Sequence, residues 1–260
     1  MLQELPYFKG VVKFFHETGE VSLFAGRFFR EAFKPPWEFR ELLRQCYSIG
    51  YQSLFLVILT GFIMGLVLTL QTRPTLIEFG ALSYMPSMIA ISIIREIGPV
   101  ITALICAGKI GSSIGAELGS MRVTEQIDAM EVSGTNPFKF LVVTRIMACI
   151  LMLPVLVIAA DTVGLFASFL VEHLKGDATF HLFFDKIFRT LEFGDLIPAT
   201  LKTFFFGFAI GLIGCYKGYY AEKGTAGVGA AANIAVVIAS VLLFVLDLMA
   251  VLVADIFYEL

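Results

Sequence analysis

The sequence predicts an all-α membrane protein, and three observations lead to that fold class. Its 260 residues are 58% apolar and only 16% charged, whereas soluble domains carry about a quarter charged residues. The mean hydropathy is +0.84. Five apolar runs each supply the roughly 20 residues that a helix needs to cross the hydrocarbon core. We therefore expect an N-terminal interfacial region over residues 1–45 and a transmembrane domain over residues 46–260.

The first element is a basic amphipathic helix over residues 6–34. Its apolar side chains recur at helical spacing and its lysines and arginines occupy the other faces, which is typical of a helix lying in the membrane interface. A break near Gly19 is expected. The same pattern also suits a helix that packs against a soluble partner. Pro35 and Pro36 then end the helix, and Trp37 supplies an interfacial aromatic ring.

Five spans are predicted next, at residues 51–71, 85–110, 140–171, 198–216 and 230–257. Gly61 and Gly65 form a pair four residues apart, as do Gly207 and Gly211, and such pairs predict close helix packing. Lysine and arginine concentrate in the N-terminal region and in the segments on its side of the membrane. The opposite side carries Arg73, Lys175, Lys186, Arg189 and Lys202. By the positive-inside rule the N-terminus is cytoplasmic and the C-terminus lies outside.

Several function classes are disfavoured by composition and motifs. The net charge of −3 gives no basic footprint for nucleic acid. Residues 107–112 read AGKIGS, which fails the spacing of the GxxxxGK[ST] phosphate loop. The histidines and cysteines show no metal-ligand spacing. We therefore expect no catalytic residue and no metal site in this chain.

A short charged segment separates the second and third spans. Residues 117–137 read ELGSMRVTEQIDAMEVSGTNP. Ser120 can cap a helix, Val123, Ile127 and Met130 would form its apolar face, and Gly134 can end it. The pattern predicts a short amphipathic helix at the cytoplasmic mouth, of a kind that enters the groove of a soluble partner. The alternative is a solvated loop.

Three strings together carry a family resemblance. REIGPV at residues 95–100, AGKIGSSIGAELGSMRVTEQIDAMEVSGTNP at residues 107–137 and CYKGYYAEKGTAGVG at residues 215–229 resemble the MlaE/YrbE family. Its members are permease subunits of ABC transporters that move phospholipids. The similarity covers nearly everything after about residue 40. The chain departs from the family pattern at residues 230–233, which read AAAN where a basic residue and threonines are common.

The resemblance implies a multi-pass protein of the bacterial inner membrane that works as a homodimer around a lipid cavity. It would move phospholipids between the inner and outer membranes and so maintain outer membrane lipid asymmetry. The implied partners are a cytoplasmic ABC ATPase, a periplasmic MCE-domain protein and a small STAS-domain subunit. ATP and Mg²⁺ would bind to the ATPase, so this chain would need no cofactor and would not be an enzyme.

The resemblance also assigns site residues. The segment between spans two and three corresponds to the coupling helix that docks on the ATPase, and its candidate contacts are Glu117, Met121, Arg122, Glu125, Gln126 and Met130. The region after the first span borders the lipid cavity. The candidate lipid contacts are Leu68, Gln71, Thr75, Phe79, Arg95 and Glu96. Packing or exposure to the bilayer is the alternative for the first four.

Charged residues within the spans have two readings. Arg95 and Glu96 could meet a lipid phosphate, or they could belong to a structural ion-pair network. Neighbours on a helix point about 100° apart, so we expect them to contact different partners. Asp161 and Asp247 are expected to hydrogen-bond or to pair with Arg95, since no His or Lys accompanies them at matching depth. Pro74 is expected to break the first span, with Arg73 at the outer interface.

Two other function classes stay open. An ion-coupled secondary transporter would use Arg95, Glu96, Asp161 and Asp247 and would need no motor protein. A membrane scaffold would assemble a periplasmic protein without moving lipid. Co-purification of a stoichiometric ATPase separates the first class from an ABC permease, and ATP-driven lipid transfer separates the second.

Overall fold

The protein folds into a bundle of long helices. The computed structural model describes residues 6–258 apart from residue 177, and this part of the chain contains helices and turns but no strand. The helices are α1 (Pro6–Ala32), α2 (Phe39–Glu78), α3 (Leu82–Val123), α4 (Gln126–Val132), α5 (Phe138–Gly176), α6 (Phe180–Thr190), α7 (Phe193–Tyr219) and α8 (Thr225–Tyr258). Five of them, α2, α3, α5, α7 and α8, are long and apolar enough to cross a membrane. The predicted fold class and the five spans are confirmed.

The spans alternate in direction, so the bundle has two ends. One end carries α1, α4 and the α7–α8 turn and is called the α4 end. The other carries the α2–α3 turn and α6 and is called the α6 end. Helix α5 lies between α2 and α7, α3 packs on α5, α7 and α8, and α7 also packs on α8. The most apolar stretch of α5 is 67% buried and that of α8 only 11%, so α5 is the centre of the bundle and α8 its edge.

Glycines set the contact between α2 and α5. Gly61 and Gly65 face the backbone of Ala160 and Gly164, and an ideal Cβ placed at Gly61 would lie 2.6 Å from the Ala160 carbonyl oxygen. Ser168 Oγ of α5 donates a hydrogen bond to the Gly65 carbonyl at 3.2 Å. Small residues allow backbones to approach this closely, so the expected close packing at this pair is confirmed.

Helix α3 contains two segments of π-helix. They span Ile93–Ile97 and Ala107–Gly111, with regular α-helix at Met85–Ser92, Gly98–Cys106 and Ser112–Val123. Pro99 follows the first segment and has no N–H to donate to the carbonyl four residues earlier. π-Segments are rare and often lie at functional sites, and the first one contains Arg95 and Glu96.

Helix boundaries differ from the sequence expectation at two places. Helix α1 runs through Gly19 without a break, since one glycine costs a helix only about 1 kcal/mol. Helix α2 likewise continues through Pro74 to Glu78, because one proline near a helix end removes a single backbone hydrogen bond. The expected end of α1 before Pro35 is confirmed. The division of the chain at residue 46 stays a prediction.

Helix α1 lies against the α4 end of the bundle. Phe24 and Phe28 are buried there. Glu17 forms an ion pair with Lys217 of α7, and Tyr216 donates a hydrogen bond to Glu20 at 2.8 Å. One face of α1 is therefore fixed to the bundle, and its placement in a membrane interface stays a prediction.

We expect Gly61→Leu to destabilise the bundle because the new side chain would push against the α5 backbone. Overpacking of this kind costs roughly 1–3 kcal/mol, and the measurement is the melting temperature of the purified protein in detergent. Gly229→Leu on α8 is the matched control, because no described atom lies within 4 Å of an ideal Cβ at Gly229. Equal melting temperatures for the two variants would contradict the assigned α2–α5 contact.

Candidate functional site

The short helix α4 starts later than the sequence predicts. Ser120 lies in the last turn of α3, where its carbonyl accepts hydrogen bonds from the backbone N–H and the hydroxyl of Thr124. Glu125 then adopts a left-handed conformation with φ of +58°, and α4 begins at Gln126. Ser120 is therefore not the cap. Helix α3 continues because Gly119 packs against the α7–α8 turn and the start of α8.

The end of α4 follows the prediction. Gly134 has φ of +79°, and its N–H donates to the Glu131 carbonyl at 3.0 Å. A left-handed glycine after the last turn is a common helix stop. The segment is thus a compact helix between two spans, and the solvated-loop alternative is wrong.

The apolar face of α4 is covered by the bundle itself. Ile127 is fully buried and Met130 packs against the main hydrophobic core. The idea that this face enters the groove of a partner is therefore corrected. The outer surface of α4 is polar apart from Ala129 and Val132, of which Val132 is 90% exposed, so a partner would meet mainly charged and amide groups.

The six coupling candidates fall into two sets. Arg122, Glu125 and Gln126 are exposed on one surface, with Arg122 paired to Asp128 at 2.5 Å. The other three support the helix. Met121 and Met130 pack partly against the core, and the half-exposed side chain of Glu117 pairs with Arg145 at 2.8 Å.

Arg145 is a site residue that the sequence reading did not single out. Its side chain is 2% exposed and bonds to Glu117 of α3 and to the Leu141 carbonyl at 2.9 Å. Its Nε has no hydrogen-bond partner among the described residues. The pair joins the two helices that flank α4. An arginine within a predicted span was the available signal.

Close packing holds the end of α3 against its neighbours. An ideal Cβ at Gly115 would lie 3.2 Å from the Ala232 Cα of α8, and one at Gly218 of α7 would lie 2.8 Å from the Leu118 Cβ. The alanines that depart from the family pattern thus lie at a tight contact between α3 and α8. This contact therefore fixes the end of α3 against α7 and α8.

A second cluster of charges lies where α3, α7 and α8 meet, with Lys202 buried and Arg95 and Glu96 partly exposed. Arg95 pairs with Asp195 of α7. Glu96 pairs with Lys202 of α7 at 2.8 Å, and Lys202 also pairs with Asp247 of α8 at 3.0 Å. The expectation that Arg95 and Glu96 have different partners is confirmed. The cluster joins α3, α7 and α8.

Lys202 corrects two parts of the sequence analysis. It was placed outside the membrane, but it is 6% exposed within α7. It also supplies the lysine at matching depth that was thought to be missing, so Asp247 pairs with Lys202 and not with Arg95. A lysine can lie inside a span when its charge is paired, because an unpaired charge there costs several kcal/mol.

Asp161 occupies a different environment. Its carboxylate lies against Gly98 of α3, and its Oδ1 has no hydrogen-bond partner in the part of the chain that is described. It lines a cavity of about 150 Å³ together with Thr162, Thr200 and Thr203. Pairing of Asp161 with Arg95 is therefore not found.

An apolar groove runs between α7 and α8 beside the charged cluster. Its volume is about 650 Å³, and Leu201, Phe205, Met249 and Val253 contribute to its walls, with Lys202 as its charged residue. A smaller pocket of about 130 Å³ shares part of this lining and contains Arg95, Glu96 and Asp195. The apolar walls of the groove therefore end beside a pocket that is lined by charged side chains.

Across residues 6–176 and 178–258, no group of three or more His, Cys, Asp or Glu could hold a metal.

The candidates on α2, and Phe79 just after it, lie near the α6 end. Gln71, Thr75 and Phe79 are exposed, Phe79 by 78%, and their spacing places them on one side of the helix together with Leu68. Leu68 packs partly against a small core cluster that contains Ile93, two residues before Arg95. Whether these side chains contact lipid stays a prediction.

Comparisons with known proteins all find membrane permeases or proteins similar to them. The family model described as Permease MlaE matches residues 42–253. A probable ABC transporter permease of Rickettsia prowazekii is 39% identical over 237 residues, covering 91% of this chain and 92% of the relative. One from Synechocystis is 32% identical, covering 92% and 88%. The chloroplastic Arabidopsis protein named TRIGALACTOSYLDIACYLGLYCEROL 1 is 32% identical, covering 94% of this chain and 70% of its own length.

We expect Lys202→Met to destabilise the bundle, because Glu96 and Asp247 would both lose their cationic partner. Breaking a fully buried pair costs about 3–5 kcal/mol, and the loss should be smaller here because the Glu96 side chain is 47% exposed. Thermal unfolding in detergent measures it. The exposed Lys223→Met is the matched control. A triple variant with Lys202→Met, Glu96→Gln and Asp247→Asn should recover most of the stability, and a stable single Lys202→Met would contradict the assigned network.

Proposed function

Since the chain belongs to the MlaE permease family, we propose that it is the membrane subunit of an ABC transporter that moves phospholipids between the inner and outer membranes. An ABC transporter permease works with an ATPase partner. The proposed substrate class is supported by the Arabidopsis relative, whose name contains a glycerolipid. The chain itself would carry out no covalent chemistry, and ATP and Mg²⁺ would stay on the ATPase.

The observation that carries the lipid assignment is the apolar groove that ends at paired charges. The α7–α8 groove offers apolar walls for acyl chains, and Arg95 and Lys202 lie in the adjoining pocket. A lipid has the same division between apolar tail and charged headgroup. A phosphate entering the pocket would compete with Asp195 for Arg95. Lipid binding and network rearrangement would therefore be linked.

Coupling to the ATPase would use the outer surface of α4. Arg122, Glu125 and Gln126 would meet the partner, while Glu117, Met121 and Met130 hold α4 on the bundle. Helix α3 leads without a gap from this surface to Arg95 and Glu96. Docking and ATP hydrolysis would thus favour one arrangement of the charged cluster over another and change the affinity for lipid.

The proposed assembly is a homodimer in the bacterial inner membrane. Helices α2 and α8 leave wide apolar faces exposed, and a second copy would cover part of them. Leu68, Gln71, Thr75 and Phe79 would then border a shared cavity near the α6 end. With the N-terminus cytoplasmic, the α6 end would meet a periplasmic MCE-domain protein, and the α4 end would meet the ATPase and a STAS-domain subunit.

The experiment that tests the function is ATP-driven transfer of a fluorescent phospholipid. The complex is purified from native membranes, its proteins and lipids are identified by mass spectrometry, and it is then placed in vesicles. We expect a stoichiometric ATPase and transfer that stops without ATP. Transport driven by a proton gradient in the absence of an ATPase would favour a secondary transporter. Full assembly without transfer would favour a scaffold.

We expect Glu125→Arg to abolish ATPase docking while leaving membrane insertion intact, because the change reverses a charge at the exposed start of α4. The amount of ATPase that co-purifies with the tagged permease is the measurement. Glu78→Arg is the matched control, since Glu78 is equally an exposed glutamate but lies at the α6 end. Normal docking of Glu125→Arg would count against the coupling surface.

Arg95→Ala should lower the amount of co-purified phospholipid more than it lowers dimer stability, because the headgroup would lose its cationic partner. Asp195 loses its cationic partner in that variant but still accepts a hydrogen bond from the Glu192 backbone N–H at 3.2 Å. The double change Arg95→Ala with Asp195→Asn, which keeps that acceptor, is therefore the stability control. We expect the double variant to regain stability and to remain poor in lipid. Recovery of lipid along with stability would assign Arg95 a structural role.

A further inference from the structure

A second groove lies at the α4 end, away from the charged cluster. It is enclosed by the last turns of α1, the α1–α2 connection, the first residues of α2 and the first turns of α5, and its volume is about 310 Å³. That volume falls within the roughly 300–1,000 Å³ of small-molecule pockets. Its lining includes Phe28, Phe29, Phe33, Leu42, Met147 and Ile150.

The groove is apolar inside and aromatic at its mouth. Phe28 is buried at its base. Phe29, Phe33, Trp37 and Phe39 line it and are each more than half exposed. Exposed aromatic rings in a row are typical of the boundary between headgroups and acyl chains. An acyl chain is therefore a better occupant of this groove than water or a polar peptide.

The groove carries one lysine whose ammonium is not paired with a carboxylate in the part of the chain that the structure describes. Lys139 lines the groove, and its Nζ donates a hydrogen bond to the Lys34 carbonyl. No carboxylate lies within ion-pair distance of Lys139 in the described residues. The ammonium of Lys34, in contrast, is paired with Glu31 at 3.3 Å. An anionic group beside the groove would find Lys139 available.

Glu38 also lines the groove. It would accept a hydrogen bond from a headgroup hydroxyl or ammonium. A phospholipid could therefore place its acyl chain against the apolar lining, its phosphate at Lys139 and its polar headgroup at Glu38. A fatty acid has no such headgroup and would lack the contact with Glu38.

This groove is separate from the proposed transport cavity. It meets α2 at Phe39 and Leu42, whereas the cavity candidates on α2 begin at Leu68. A helix rises about 1.5 Å per residue, so roughly 40 Å separate the two positions. They would face opposite leaflets of a membrane around the bundle.

We propose that this groove binds an acyl chain of a phospholipid from the leaflet at the α4 end, with the lipid phosphate at Lys139. The bound lipid fills the space between α1 and the bundle and holds α1 in place. Under the proposed orientation this leaflet is the cytoplasmic one. The site does not depend on transport, since a complex that moves no lipid could still fill it.

The test uses the full complex in lipid nanodiscs that contain a phospholipid with a photoactivatable diazirine in its acyl chain. Adducts are mapped by mass spectrometry and scaled to those on α5 around Ile158, which is 56% exposed and lies outside the α2 and α8 faces of the proposed dimer. We expect enriched adducts on residues 28–39 and 139–150. Met147→Trp should remove most of them by filling the groove, whereas Val155→Trp on the exposed side of α5 should not.

The headgroup contact has its own variant. Lys139→Gln should weaken phospholipid retention at the groove about tenfold, as the loss of a charge-assisted contact predicts, and the exposed Lys223→Gln should leave it unchanged. A diacylglycerol probe without phosphate should label the groove less than the phospholipid probe.

Three outcomes would overturn the proposal. They are an absence of enriched adducts in the groove, equal labelling in Met147→Trp and wild-type protein, and equal labelling by the diacylglycerol probe. ATP-driven lipid transfer is measured separately on the same complexes. Failure at the groove with intact transfer would therefore leave the proposed function standing.

Discussion

The packing of α3, α7 and α8 depends on the pairing of charged side chains that lie within their apolar segments. Lys202 forms ion pairs with both Glu96 and Asp247, and Arg95 forms one with Asp195. Because an unpaired charge at this depth costs several kcal/mol, α3, α7 and α8 can move relative to one another only if the pairs are kept or exchanged. The exposed helix α8 has little burial to hold it, so its ion pair with Lys202 weighs heavily in its placement.

The same constraint connects the two ends of the bundle. Helix α3 carries α4 at one end and Arg95 and Glu96 in its first π-segment, and Arg145 ties its last turns to α5. Glycine contacts leave little room for α3 to slide past α7 and α8. A shift of α4 is therefore more easily relieved at the π-segments, where the backbone hydrogen bonding already departs from the regular helix.

Much of the fold could be predicted from sequence because membrane spans follow from hydropathy alone. The number of spans, the stop of α1 before Pro35 and the Gly61–Gly65 contact were all accessible. Features that depend on contacts between residues remote in sequence could not be predicted. Lys202 looked like an outer residue because its carboxylate partners are remote in sequence, and nothing local indicates that they meet.

In the candidate site, too, local features could be predicted and tertiary contacts could not. The existence of α4 and its stop at Gly134 follow from local turn chemistry. Its start does not, because Glu125 takes a left-handed conformation that glutamate rarely adopts and because α3 is prolonged by packing. Periodicity marked Ile127 as apolar but could not tell whether this chain or a partner covers it. The importance of Arg145 likewise rests on a contact with another span.

The ion pair between Glu96 and Lys202 also bears on how the protein is made. The two residues are 106 positions apart, so the ribosome delivers the carboxylate well before the ammonium that neutralises it. Until α7 enters the bilayer, the second span holds ionised groups with no counterpart. A nascent chain halted before that point would hold these charges against lipid, where an unpaired charge costs several kcal/mol.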